Sequence, residues 1–294
     1  MLRDNRTRLI GIAALIALAV WLSALFAGSS ELRVTFLDVG DGLCTIVRTP
    51  SGRTLVMDCG TSSWGESSDK VGTTLVAPYL QRLGLDGIDV AVLSHPHSDH
   101  DCGFPGLLEV EPARLVLDCG AECRSPEYFA FLRAVRTAHA RYRIARRGQV
   151  LDMGDGVRAR ILSPSPDENY TNLNDHSIVL RITYKRVAFL LPADACDAAE
   201  QDMLHADTNV RAQVLQVGHH GSRDATSAEW LSAVRPRIAV ISCARHSQYH
   251  FPSRLVLDRL ASRGARTYTT AQYGAVTVET DGETISVQTV RQPR

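Results

Sequence analysis

Ten residues from Ser94 to Gly103, SHPHSDHDCG, gather His95, His97, Asp99 and His100. His95 and His97 are two apart, so on an extended backbone they point the same way and can share one metal ion. Asp99 and His100 follow at a turn, where the chain can bend back towards a second ion. A solvated His-rich loop is the plain alternative. Placing three imidazoles and a carboxylate beside a core without a metal is costly, which favours ligation. The chemistry that such a set performs is hydrolysis. Two ions about 4 Å apart acidify a water and clamp the substrate oxygens.

Further donors lie downstream. Asp194 follows an apolar run in LPADA, where it is either a metal carboxylate or the N-cap of a helix beginning near Asp197. His219 and His220 are adjacent in VGHHGS. Neighbours on an irregular turn face one site or opposite sides. His176 stands in NDHS before a strand, and His250 stands in YHFP. His250 could protonate a leaving group or contact a phosphate. Asp58 closes a strand before Cys59-Gly60, and Asp38 ends another in LDVGDG. Ser222 lacks the Gly-x-Ser-x-Gly elbow of a nucleophile, and no phosphate-cradling Gly loop occurs.

Elements must hold these residues. Val90–Leu93 is a continuous apolar run that predicts a buried strand, whose end is both rigid and accessible. Strand-like runs cover Leu32–Leu37, Leu43–Val47, Thr54–Met57, Val157–Leu162, Ile178–Tyr184, Val187–Leu191, Val214–Val217 and Ile238–Ser242. Apolar spacing predicts helices over Thr73–Leu83, Glu127–His139, Asp197–His205 and Leu255–Ser262. A terminal hairpin is expected from Ala275–Glu279 and Thr284–Thr289 around Asp281-Gly282. Thr61–Lys70 is polar and predicts a loop over the site. Arg141–Arg147, RYRIARR, predicts a solvated edge strand rather than a nucleic-acid surface. Two groups of strands, each with helices, predict two sheets face to face with helices outside. No linker divides residues 31–294, so one domain is expected there.

The chain has 294 residues with 32 basic and 32 acidic side chains, so its bulk charge does not advertise nucleic-acid binding, although a local patch suffices. Arg3, Arg6 and Arg8 precede an uncharged stretch from Leu9 to Ala27. Residues 1–30 are therefore expected to be a membrane anchor or a cleaved signal peptide, with the remainder outside the cytoplasm. In an oxidising compartment Cys119 and Cys123 would be the local pair among seven cysteines. Cys44, Cys59 and Cys243 lie in or beside apolar runs and predict small buried packing groups. A packing role is also expected for Cys102.

The motifs FLDVGDG (Phe36–Gly42), LVMDCG (Leu55–Gly60), SHPHSDHDCG, NDHSIVL (Asn174–Leu180), FLLPADA (Phe189–Ala195) and VGHHGS (Val217–Ser222) resemble, in order, those of the metallo-β-lactamase superfamily. Within it they resemble the hydrolase domain of ComEC-type DNA-uptake proteins and their stand-alone relatives. The resemblance implies an α/β (α+β) fold, a four-layer αββα sandwich following the N-terminal hydrophobic helix. It implies two divalent ions, zinc first and manganese second, and a metal-bound hydroxide as nucleophile. His95 and His97 with one more histidine would hold the first ion, and Asp99 and His100 with another histidine the second. Asp194 would bridge, His219 would be the last His ligand, and His176 would occupy the third-motif position. Asp58 and Asp38 would orient the metal loop from behind. Asp99, His220 and His250 would serve catalysis, His220 by touching the substrate or by supporting a ligand from behind. A phosphodiester or nucleic acid is the implied substrate. The rivals are a lactone, a β-lactam or an envelope choline phosphoester, or a non-enzymatic metal-binding accessory protein at the envelope.

Overall fold

The structure, a computed structural model, describes residues 31–63, 65–85, 87–167 and 170–292. The expected N-terminal anchor falls outside them. Among the described residues no helix is long and apolar enough to cross a membrane.

In chain order the first six strands are β1 (Leu32–Phe36), β2 (Thr45–Arg48), β3 (Thr54–Met57), β4 (Ile88–Leu93), β5 (Ala113–Asp118) and β6 (Arg141–Ile144). Then come β7 (Val150–Asp152), β8 (Arg158–Ser163), β9 (Val179–Tyr184), β10 (Val187–Leu191), β11 (Val214–Gln216), β12 (Ile238–Ile241) and β13 (Arg266–Thr269). The chain closes with the hairpin β14 (Val276–Thr280) and β15 (Ile285–Thr289). They form two sheets, ordered β15-β14-β1-β2-β3-β4-β5-β6 and β13-β12-β11-β10-β9-β8-β7. In each sheet a run of parallel strands adjoins antiparallel ones: β3 to β6 in the first, β10 to β13 in the second.

The helices are α1 (Ala77–Arg82), α2 (Ser98–Asp101), α3 (Phe104–Val110), α4 (Pro126–Thr137), α5 (Asp197–His205), α6 (Ala228–Val234), α7 (Arg254–Ser262) and α8 (Thr270–Tyr273). Three apolar layers explain the stacking. Phe36, Met57, Val92, Ile161, Leu180, Phe189 and Val278 meet between the sheets. On the outside of the first sheet, Leu80, Leu107 and Phe131 from the helices cover Val56, Ala91 and Val116. On the outside of the second, Met203, Trp230 and Leu260 cover Leu190, Leu215 and Ala239. A strand covered on both faces needs apolar residues at consecutive positions, which is why Val90–Leu93 does not alternate. The outcome is an αββα arrangement, as the two strand groups predict.

Local departures have physical causes. The stretch expected as one helix over Thr73–Leu83 starts as a wider turn at Gly72–Val76 before α1. Gly72 lies so close to the Gly103 carbonyl that a Cβ would sit 2.0 Å from its oxygen, so only a glycine fits at the start of that turn. The polar segment before it contains a 3-10 turn over Gly65–Lys70. Strand β6 is the open edge of the first sheet, in keeping with its arginines. All seven cysteines are free, Cys119 and Cys123 included. The Cys119 Sγ accepts from Ala121 N at 3.5 Å, while the Cys123 thiol donates to the Pro96 carbonyl at 3.6 Å.

Candidate metal centre

Parallel strands deliver side chains at their carboxyl ends, the usual place for sites in α/β sheets. Strand β4 ends into Ser94 and His95, and the one-turn α2 begins after His97. Strand β10 leads to Asp194, and β11 leads to His219 and His220. Gly60 permits the tight floor beneath α2. A Cβ there would lie 2.3 Å from the Asp99 carbonyl carbon. Backbone bonds then lock this floor: Cys59 N–H donates to His100 O at 2.8 Å, and Gly103 N–H donates to Cys59 O at 2.7 Å.

Asp99, His100, Asp194 and His220 converge, with one donor atom from each lying within 4.8 Å of all the others. His100 Nε2 is 3.2 Å from Asp194 Oδ2 and 3.7 Å from Asp99 Oδ2. His220 Nε2 is 3.4 Å from both carboxylates. His100, Asp194 and His220 are buried, whereas the Asp99 side chain is 24% exposed and marks the open side. His100 Nε2, His220 Nε2 and Asp194 Oδ1 make no hydrogen bond. Buried polar atoms normally find partners, so two imidazole nitrogens without a hydrogen bond, both facing Asp194 Oδ2, fit a bound cation. Imidazole with carboxylate suits zinc or manganese.

The rings are aimed from behind. Asp58 accepts from Ser94 N–H and from the Ser94 hydroxyl, both at 2.7 Å, and meets His100 Nδ1 at 2.8 Å. His220 Nδ1 donates to Ser242 O at 3.0 Å, which turns Nε2 towards the carboxylates. The backbone is forced to do this. Asp58, His219 and His220 all have positive φ, at 61°, 48° and 53°. Such strain outside glycine persists where surrounding structure over-determines it, commonly at functional sites.

Charge follows the geometry. Burial disfavours the His220 cation, but Asp194 and Asp99 outweigh it and push its pKa up to about 10. Burial likewise opposes charge on His100, yet the same carboxylates and Asp58 raise it well above the usual value. Burial would raise Asp194, and His100 and His220 overcome it and hold it well below the carboxylate range. The pocket therefore attracts positive charge. His95, fully buried and repelled by a charged His100, is held well below its usual value and stays neutral, as a ligand must. His95 Nε2 faces His97 Nδ1 at 2.9 Å, beside the four-donor group.

Several expectations need correction. His220, assigned to the substrate or to a place behind a ligand, is in the four-donor cluster. His219 lies at its rim, with Nε2 3.8 Å from Asp194 and Nδ1 3.0 Å from Asp224. His176 is turned away: its Nε2 meets the Tyr170 carbonyl at 3.0 Å and its ring packs edge-on against Tyr170. A short 3-10 turn at Leu173–His176 presents Asn174 instead, whose Nδ2 is 3.4 Å from His219 Nε2. His250 is exposed on a left-handed residue. Its neighbour Phe251 comes to the site, its ring 6.0 Å from that of His220 and 5.8 Å from that of His219. Asp38 is half-buried and pairs with Arg291 at 2.5 Å, a partner 253 residues away, rather than backing the metal loop. Cys102 donates to Ser68 O at 3.3 Å, a packing role.

Besides Asn174 and Phe251, two buried carboxylates near the site are not singled out by the sequence. Asp175, beside His176, caps α5 by accepting from Cys196 N at 3.0 Å and Ala199 N at 3.1 Å. Asp101 is fully buried with both oxygens unpartnered, and burial together with Glu127 and Asp99 outweighs His100, pushing its pKa to about 8. Its place in SHPHSDHDCG was the available signal.

Comparison with known proteins agrees with this architecture. The metallo-beta-lactamase superfamily profile matches residues 37–246. The chain is similar to ComE operon protein 3 of Bacillus subtilis, with 31% identity over 84% of this chain and 33% of that protein. It is also similar to Recombination protein 2 of Haemophilus influenzae, with 30% identity over 99% of this chain and 34% of that protein. The chain thus spans about a third of the length of these relatives. Among solved structures, the metallo-beta-lactamase fold protein YhfI from Bacillus subtilis superposes with a TM-score of 0.55 at 13% identity, covering 85% of this chain and all of that one.

Proposed function

Since the chain belongs to the metallo-β-lactamase superfamily, we propose that it is a metal-dependent phosphodiesterase acting on nucleic acid. The convergence of Asp99, His100, Asp194 and His220, with the Nε2 atoms of both histidines making no hydrogen bond, carries this reading. Those four residues would hold one divalent ion, zinc by donor type. His95 and His97, whose facing nitrogens are 2.9 Å apart, would contribute to holding a second. Bound there, the ions would lower the pKa of a water and polarise phosphoryl oxygens. The chain's own groups prepare that chemistry. Asp58 fixes the His100 tautomer and ring plane. Phe251 covers His219 and His220 and keeps water from that side. Asp99, the more exposed carboxylate, lines the open approach for substrate. A relative named for recombination supports nucleic acid over a lactone or an envelope ester. The apolar stretch Leu9–Ala27 supports a catalytic domain outside the cytoplasm.

The test uses metal-free protein reloaded with zinc or manganese, with bound metal per chain determined on the same samples. Hydrolysis of bis(p-nitrophenyl) phosphate and of single-stranded DNA is expected. His97→Ala and Asp194→Ala should lower it by more than about 100-fold, beyond the loss typical of outer-shell partners. Loaded, folded protein with no phosphodiester turnover would overturn this reading.

A further inference from the structure

Beside the main centre lies a second convergence of unlike donors: Cys196, His219 and Asp224, each with an atom within 4.8 Å of the other two. The Cys196 Sγ is 3.5 Å from His219 Nδ1, and His219 Nδ1 is 3.0 Å from Asp224 Oδ1. A tetrahedral zinc, with Zn–S about 2.3 Å and Zn–N about 2.0 Å, separates sulfur and nitrogen ligands by about 3.5 Å and nitrogen and oxygen ligands by about 3.3 Å. The first spacing is already met, and the second needs Asp224 to withdraw by a few tenths of an ångström. Asp224 is exposed, so it can.

Each donor stands on a pinned backbone. Cys196 N–H is held by Asp175 Oδ1 at 3.0 Å, His219 N–H by Ala193 O at 3.0 Å, and the Asp224 carbonyl by Asp197 N–H at 3.0 Å. Cys196 is buried, while His219 is partly and Asp224 largely exposed, so a fourth position faces solvent. A plain carboxylate–imidazole contact accounts for Asp224 and His219, and the Cys196 thiol donates to the Asp194 carbonyl at 3.2 Å, yet its sulfur also lies 3.5 Å from the same ring nitrogen.

We propose that Cys196, His219 and Asp224 form a separate site for one thiophilic divalent cation of the zinc class, open to solvent at its fourth position. Binding displaces the Cys196 thiol proton and the Nδ1 proton of His219 to solvent. Thiolate ligation distinguishes this site from the imidazole–carboxylate centre. The two are joined through one ring, because His219 Nε2 points towards Asp194 at 3.8 Å.

Cobalt(II) added to the metal-free full-length chain reads both sites at once. A near-ultraviolet thiolate-to-cobalt charge-transfer band is expected from the new site alone, and visible ligand-field bands from both. Cys196→Ser should abolish the charge-transfer band and keep the visible absorption of the main centre. Asp224→Ala should weaken the cobalt dependence of that band by about tenfold or more. Asp194→Ala should deplete the visible bands and leave the thiolate band, so failure of the main centre is told apart from failure of this site. Circular dichroism establishes that each variant is folded, and Cys196→Ala serves if the serine variant is not. No charge-transfer band, a band that survives Cys196 substitution, or an affinity unchanged in Asp224→Ala would each overturn the proposal.

Discussion

At the scale of single residues, the decisive feature is how Asp58 is spent. One carboxylate meets Ser94 twice and His100 once, so it ties the end of β4 to an imidazole of the four-donor cluster. It does so from a left-handed conformation. Asparagine tolerates that conformation, so Asp58→Asn changes the acceptor set without disturbing the backbone. The amide keeps one acceptor oxygen and turns an N–H2 towards a donor. Outer-shell partners of metal-bound histidines are worth 10- to 100-fold in affinity. Asp58→Asn is accordingly expected to weaken zinc binding by about that factor, read by competition with a chromogenic chelator. An affinity within about twofold of the parent would show that Asp58 only holds the loop.

At the scale of elements, the α5 start is built by a residue from another segment. Cys196 precedes α5 and gives no side-chain cap. Asp175 reaches in from the turn at Leu173–His176 and accepts two of its free N–H groups. Asp175→Ala should therefore destabilise the fold by about 1–2 kcal/mol, the usual cost of a lost cap, as a lower urea midpoint. An unchanged midpoint would mean that water replaces the carboxylate at no cost. The same turn marks where sequence stops being informative. Strand-end positions were legible because burial fixes where the ends of β4 and β10 deliver His95 and Asp194, while Asp99 follows on the one-turn α2. The parallel strands betrayed themselves by unbroken apolar runs such as Val90–Leu93. Positions on irregular turns were not legible. His219 and His220 share a left-handed pair that neither residue type announces, and it places His220 in the four-donor cluster and His219 at its rim. One short turn decided between His176 and Asn174, and a left-handed His250 brought Phe251 to the site in its place. Asp38 found Arg291 through the pairing of β1 with β14, a contact that no local pattern encodes.

At the scale of the molecule, two sheets with apolar residues on every face make a rigid frame, and the frame gathers charge where the sheets' ends meet. That charge couples stability to pH and to metal. In metal-free protein His220 has a folded pKa of about 10, against about 6.5 for an unfolded imidazole. Between those values the folded state binds more protons than the unfolded state. Stability from this group is thus fully present below about pH 6.5 and is lost as pH rises through about 10. His100 is shifted the same way by the same carboxylates. Metal uptake runs opposite, because an ion must displace these protons and so binds better as pH rises. A ligand that binds only the folded state stabilises in proportion to RT ln(1 + [L]/Kd). Chelated protein should therefore show a falling Tm from pH 7 towards pH 10, while the rise in Tm on adding zinc grows over the same range. In Asp194→Ala the carboxylate that raises both histidines is gone, so the fall should flatten and the zinc-dependent gain should shrink together. A pH slope that persists in that variant above pH 7 would place the proton linkage at another raised histidine, His219 beside Asp224 first, and not at Glu200. Burial pushes Glu200 up to about 7 despite bonds from Ser227 and Thr226, so its contribution declines between about pH 4.5 and 7 and is flat above. The two windows meet only near neutrality, and a scan from pH 5 to 10 separates them.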